Sequence, residues 1–147
     1  TASHGFPLRL IVPDIYGMKN VKWITAIELA GEDVRGFWQQ KGWDDTAQYK
    51  LMSRVDIAQK GIAAGIAFGG ERGVGTVEVR IADQPWKEAD LLPALSPLSW
   101  VRWKIEGDVR GKRVMVRMAA ANGEKQIEQP RDPFPEGSSG LHSIAGS

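Results

Sequence analysis

Apolar and polar positions alternate with period two over most of the chain beyond about residue 51. Val77, Val79 and Ile81 alternate with Glu78 and Arg80, and Val101, Trp103 and Ile105 with Arg102, Lys104 and Glu106. Val114, Val116 and Met118 stand opposite Arg113, Met115 and Arg117. A half-buried strand produces this alternation, because successive side chains leave the pleat on opposite faces. By the same rule Val55 and Ile57 share one strand face, and Ile62, Ala64, Ile66 and Phe68 the inward face of the next strand. Turn chemistry separates the segments: Gly69-Gly70, Asp83-Gln84-Pro85 and the hairpin pair Asn122-Gly123. A returning segment at 86–89, a Pro-rich loop or edge at 130–135 and a last strand at 142–144 complete the pattern.

The preceding part has another texture. Residues 8–12, apolar and bounded by Pro7 and Pro13, predict a short strand. Val21, Trp23, Thr25, Ile27 and Leu29 recur at period two and predict a second strand with one buried side, after a loop at 14–20. Residues 32–45 are irregular, with Phe37, Trp38 and Trp43 among glycines and room for one helical turn at most. Short strands with turns at this spacing describe a mainly β protein: an immunoglobulin-like sandwich of about seven strands with an N-terminal strand-and-loop extension. The expected boundary falls between Trp43 and Arg54, dividing the chain into 1–50 and 51–147.

Composition narrows the function. At 147 residues the chain can bury roughly 70% of its unfolded surface without a staple. It has no cysteine, which removes a disulfide framework, a thiolate metal site and a cysteine nucleophile. Basic residues number 19 and acidic ones 18, with six of each in the first 50 residues. Neither part has the basic excess that binding a phosphate backbone requires, so no nucleic-acid partner is expected. No apolar run approaches the roughly 20 residues of a membrane span, so no membrane contact is expected of this stretch itself.

Few residues suggest chemistry. The run 69–75 (GGERGVG) lacks Gly-Lys-Ser/Thr, has the wrong spacing for GxGxxG, and leads into a strand where a phosphate loop needs a helix. It reads as a structural loop that presents one cation, Arg72. The two histidines, His4 and His142, are too far apart to suggest a zinc site. Asp44-Asp45 reads as a solvated pair in a turn, and no G-x-S-x-G is present. Trp38, Trp43, Trp86 and Trp100 could stack on a carbohydrate if two of the rings were coplanar and exposed. His4, Arg9 and Lys22 are three potential cations within 19 residues, on two predicted strands whose connecting loop could gather them around one anion.

The run HGFPLRLIVP (4–13), followed by Tyr16-Gly17 and by VKWI (21–24), resembles the closing segment of the molybdopterin-binding domain of sulfite-oxidase-type enzymes. Gly65 to Gly70, Arg72-Gly73-Val74, Val77 to Val79, Pro85-Trp86, residues 100–103 and Gly140-Leu141-His142 resemble the immunoglobulin-like dimerisation domain of the same enzymes. The aromatic stretch 37–43, Pro85-Trp86 and the Pro-rich tail resemble bacterial membrane-anchored members most.

The resemblance implies that His4, Arg9 and Lys22 contact the phosphate and pterin of molybdopterin, and that Arg72 lies at the oxyanion substrate site. It also implies a C-terminal portion of an oxidoreductase whose partners are the remainder of the molybdopterin domain and a second subunit. The family's molybdenum-ligating cysteine has no counterpart here, so this stretch alone is expected to be inactive and to hold no cofactor. Phe68 stands where many relatives carry tryptophan, and the tail lacks their Trp-Asn element. The alternative is an immunoglobulin-like interaction module without an active-site role.

Overall fold

The computed structural model describes residues 1–96 and 98–147. Its body is two packed antiparallel sheets. One has the order β1 (Met52–Gln59), β2 (Ile62–Phe68), β6 (Val101–Glu106), β5 (Asp90–Leu91). The other has the order β4 (Lys87–Glu88), β3 (Thr76–Ile81), β7 (Arg113–Ala119), β8 (Ser143–Ala145). In chain order the first sheet follows the A-B-E-D arrangement of an immunoglobulin sandwich and the second follows C′-C-F-G. Strands β4 and β5 are two residues each and belong to different sheets, with Ala89 as the corner between them. Ala89 is buried, and its amide donates to the Val77 carbonyl at 2.8 Å.

The core lies between the sheets, where Val77, Val79 and Ile81 of β3 and Val114, Val116 and Met118 of β7 meet Val55, Ala63, Ala67 and Trp103. The alternation read from the sequence holds on β3, β6 and β7. On β2 the faces are reversed. Ala63, Gly65 and Ala67 point inward, while Ile62, Ala64, Ile66 and Phe68 lie on the outer face. Trp103 explains the reversal: it is directly opposite Gly65, and a Cβ there would lie 2.8 Å from Trp103 Cζ2 and collide with the Arg54 carbonyl. A full indole fits between the sheets only if the neighbouring strand offers small residues, so β2 turns its larger side chains outward. On β1 a register shift between Val55 and Ile57 turns Ile57 out and gives its inward place to Ala58.

The opening segment is not a strand pair. Residues 8–12 and 21–24 meet through the isolated bridge Arg9–Lys22 and the bonds Leu10 N to Val21 O (2.9 Å) and Ile24 N to Leu8 O (3.2 Å). Trp23 has φ +55°, which breaks an extended run, and no ladder forms beyond it among the described residues. Trp23, Ile27 and Leu29 are consequently exposed where the pattern predicted a buried side. A single helical turn, α1 (Phe37–Gln40), follows. Its aromatics run edge to face from Phe37 through Trp38 and Trp43 to Phe134 in the Pro-rich loop, which docks the irregular stretch on that loop.

Gly65→Ala is expected to lower the free energy of unfolding by about 1–3 kcal/mol, the usual range for forcing a methyl into a packed core. Denaturant titration measures it, and an unchanged midpoint would show that Trp103 does not dictate the small-residue face.

Candidate functional site

The backbone of the opening segment brings His4, Arg9 and Lys22 together. Ala2–His4 forms one 3-10 turn, and Gly5 ends it at φ +103°. Gly5 is buried against Arg9: a Cβ at this position would lie 2.9 Å from Arg9 Cβ. Lys22, bridged to Arg9, donates from Nζ to the Ser3 carbonyl at 2.8 Å, and Trp23 donates from Nε1 to the Ala2 carbonyl at 2.7 Å. The turn that carries His4 therefore sits directly on Lys22 and Trp23. His4 Nδ1 is bonded to the Thr1 hydroxyl at 2.6 Å, which fixes the ring's orientation.

This cluster has unused donors. Arg9 Nε is buried with no hydrogen-bond partner. Lys22 directs one of its three ammonium protons at Ser3. Among the described residues none of the three cations is in an ion pair. A buried guanidinium N–H without an acceptor is costly, and a bound anion would remove that cost. A cleft of about 630 Å³ adjoins the cluster, walled by Lys19, Lys22, Trp23, Val34, Phe37 and Trp38.

Arg72 is set on the one-turn helix Gly70–Arg72, and Asp14 positions that turn. Asp14 is buried in the left-handed region at φ +61°, which aspartate tolerates better than most residues. Its Oδ1 accepts the Glu71 amide at 3.1 Å and its carbonyl accepts the Tyr49 amide at 3.1 Å. Gly70 lies flat on the same carboxylate, where a Cβ would collide with Oδ1. The Arg72 guanidinium is held by the Tyr49 carbonyl through Nη2, by the Gly69 carbonyl through Nε (3.2 Å) and by Glu124 Oε1 through Nη1 (2.9 Å). Arg72 is thus hydrogen-bonded to a backbone that Asp14 fixes, and Asp14 is five residues from Arg9.

Nothing in the spacing of Asp14 or Glu124 marks either as a partner of Arg72. The readable signals were Asp14's place after Pro13 in a turn-forming loop and Glu124's place beside Asn122-Gly123.

The other candidates have structural roles. Asp44 Oδ2 accepts from the Thr46 hydroxyl and the Ala47 amide, each at 2.6 Å, while Asp45 pairs with Lys19 at 3.1 Å. The Thr46 hydroxyl above all, with the Ala47 amide, holds Asp44 below the usual carboxylate range. His142 Nδ1 accepts the Val55 amide at 3.1 Å. Trp38 and Trp43 meet at 80° and form no flat platform. Trp86 is flanked by the guanidinium groups of Arg80 and Arg117 at 4.8 and 4.3 Å, and Trp100 stacks on Phe68 at 5.3 Å. Burial pushes Arg117 down, but its hydrogen bonds to Glu78 and Glu128 outweigh that and raise it.

Fold and site together describe an immunoglobulin-type sandwich joined to a segment that carries a buried, unpartnered guanidinium N–H. Residues 1–38 match the family model of the oxidoreductase molybdopterin binding domain. Mitochondrial sulfite oxidase of Drosophila melanogaster is 48% identical over 57 residues, covering 39% of this chain and 10% of that protein. Sulfite oxidase of Gallus gallus is 29% identical over 122 residues, covering 65% of this chain and 27% of that protein. The crystal structure of the sulfane dehydrogenase SoxCD from Paracoccus pantotrophus superposes with a TM-score of 0.71 at 18% identity, over 95% of this chain and 43% of that one, and it shows the shared fold. The chain is thus similar to sulfite oxidases, most closely in its opening residues, and it spans well under a third of the length of these curated relatives.

Gly70→Ala is expected to cost about 1–3 kcal/mol, from backbone strain at φ +58° and displacement of the Asp14 carboxylate. Gly17→Ala, with open space around it, is expected to stay within about 0.5 kcal/mol. Thermal unfolding of the two variants side by side measures the difference, and equal losses would remove Asp14 as the anchor of the Arg72 turn.

Proposed function

We propose that this chain supplies cofactor-phosphate contacts, one wall of the substrate pocket and a subunit contact to a molybdopterin-dependent oxidoreductase of the sulfite oxidase type. The orphaned Arg9 Nε beside Lys22 and the His4 turn is the observation that carries the reading. The donor set fits the group: Arg9 and Lys22 offer positive charge and N–H donors and His4 a ring nitrogen, which suit the phosphate and the acceptor-rich pterin of molybdopterin. When bound, the cofactor supplies two-electron oxygen-atom transfer, and the protein supplies binding and orientation.

Arg72 contributes a positive charge on the substrate side. An anionic oxo-acid approaching an anionic cofactor meets repulsion, which a fixed guanidinium offsets. The carbonyls of Tyr49 and Gly69 hold the group in place without neutralising it.

Two partners complete the proposal. Ile27, Leu29, Val34 and Phe37 are at least 65% exposed, a density of bare apolar side chains that favours cover by the remainder of the cofactor domain. The outer face of the first sheet presents Ile57, Ile62 and Trp100 at 43–47% exposure, beside the half-buried Ile66 and Phe68, and suits a second copy of the sandwich. A membrane-anchored bacterial parent remains part of the proposal. No helix among the described residues is long and apolar enough to cross a membrane, so the anchor would lie elsewhere in the parent.

In the cofactor-loaded enzyme, Arg9→Gln and Lys22→Met are each expected to lower bound pterin at least about tenfold, by loss of a charge-assisted contact. Pterin released from the purified protein measures this, and full occupancy in both variants would end the cofactor reading. Arg72→Ala is expected to raise the KM for sulfite by at least about tenfold with pterin content unchanged; steady-state kinetics decide, and an unchanged KM would remove Arg72 from the pocket. Ile62→Lys is expected to shift the enzyme from dimer to monomer in sedimentation velocity, and an undisturbed dimer would place the contact elsewhere.

A further inference from the structure

We infer that Glu124 is an internal stand-in for the anionic substrate, occupying the face of Arg72 that an oxo-acid uses and setting how tightly that anion binds. The inference rests on the reading of Arg72 as a pocket residue and adds a specificity-determining partner to it.

The Arg72 guanidinium has two kinds of partner. The carbonyls of Tyr49 and Gly69 are neutral and belong to the backbone beneath it. Among the described residues Glu124 alone pairs a negative charge with it, with Oε1 2.9 Å from Nη1. A carboxylate presents two oxygens to a guanidinium as a sulfur oxo-anion does, so the position Glu124 takes is one the substrate would need.

The local backbone delivers Glu124 there. The hairpin turn after β7 closes with Gly123 N to Ala120 O at 2.9 Å and Ala120 N to Glu124 O at 2.8 Å, and the Asn122 side chain accepts the Glu124 amide at 3.0 Å. Gly123 has φ +87°, as the tight turn requires. The turn is fastened to the Arg72 helix itself, since Ala121 N donates to the Arg72 carbonyl at 3.2 Å. The guanidinium that donates and the carboxylate that accepts are therefore held on two directly bonded turns.

The pair is also easy to open. Glu124 is 48% exposed and Arg72 23%, so water can take over the carboxylate as it leaves. Ion pairs this exposed are weak, which limits the competition to a factor of a few. The arrangement keeps Arg72 oriented and neutralised when no substrate is bound, and yields to an anion that binds it better. A neutral oxo-compound such as a sulfoxide gains nothing from displacing Glu124, so the pair also weights the site toward anions that compete effectively.

Sulfate serves as the probe, titrated into the 147-residue chain at constant ionic strength while the backbone amide resonances of Gly73, Ala121 and Gly123, present in every variant, are followed by NMR. Glu124→Gln is expected to tighten sulfate binding about two- to fivefold, and Arg72→Ala to abolish it, both with the wild-type backbone spectrum elsewhere. In the cofactor-loaded enzyme the same Glu124→Gln substitution is expected to lower the KM for sulfite by a similar factor and to leave the KM for dimethyl sulfoxide unchanged. If Arg72→Ala abolishes binding but Glu124→Gln leaves it unchanged or weaker, the stand-in role is overturned while the pocket reading survives. If Arg72→Ala changes nothing, or if neither wild type nor Glu124→Gln binds sulfate, the reading of Arg72 itself fails.

Discussion

The buried carboxylate of Asp14 is the constraint on which the site depends. Its side chain holds the Glu71 amide and its backbone holds the Tyr49 amide, so one residue of the opening segment fixes both the Arg72 turn and the stretch that leads into β1. That junction links the segment carrying Arg9 and Lys22 to the turn carrying Arg72. A left-handed aspartate is costly for the backbone, and its two hydrogen bonds and the flat contact with Gly70 offset the cost. The geometry also explains the glycine pair 69–70: a side chain at position 69 would strike the Gly73 carbonyl, and one at position 70 the Asp14 carboxylate. These glycines serve close packing, as the absence of a following helix had suggested from the sequence.

The sandwich rests on a different economy of volume. Trp103 is fully buried at the centre of the core and sits opposite Gly65, flanked on β2 by Ala63 and Ala67. Among the described residues its indole Nε1 is one of two buried side-chain polar atoms without a partner, the other being Arg9 Nε. The two orphans differ in setting. Trp103 is walled in by aliphatic side chains, and apolar contact has to compensate for its lost hydrogen bond. Arg9 lies beside Lys22, bridged to it at the edge of the molecule, where an acceptor can arrive from outside.

Much of the fold was legible in the alternating pattern. On β3, β6 and β7 large apolar residues face in and charged ones face out, so period-two reading found both the strands and their faces. It failed on β2 because inward and outward residues there are all apolar, and size decides which face goes in. It failed at Val21–Leu29 because alternation alone does not make a strand: the ladder needs a partner, and Trp23 turns the chain instead. The cation trio was legible because its residues lie close in sequence and the pairing of 8–12 with 21–24 needs no distant contact. The Arg72 surroundings were not, since Asp14, Tyr49 and Glu124 come from segments 58, 23 and 52 residues away by position and meet only in the folded chain.

The way the two sheets finish has a consequence for self-association. On one side the rims are β4 and β5, two residues each and cut from a single stretch of chain around Ala89. On the other side β1 and β8 are stitched together by the bond from Val55 N to His142 and by Ser147 N to the Ala58 carbonyl at 2.9 Å. Rims that are very short or already laced offer little template for an incoming strand, which disfavours edge pairing on both flanks of the sandwich. Copies of the sandwich are thereby steered toward meeting broadside, through side chains, rather than by adding strand to strand.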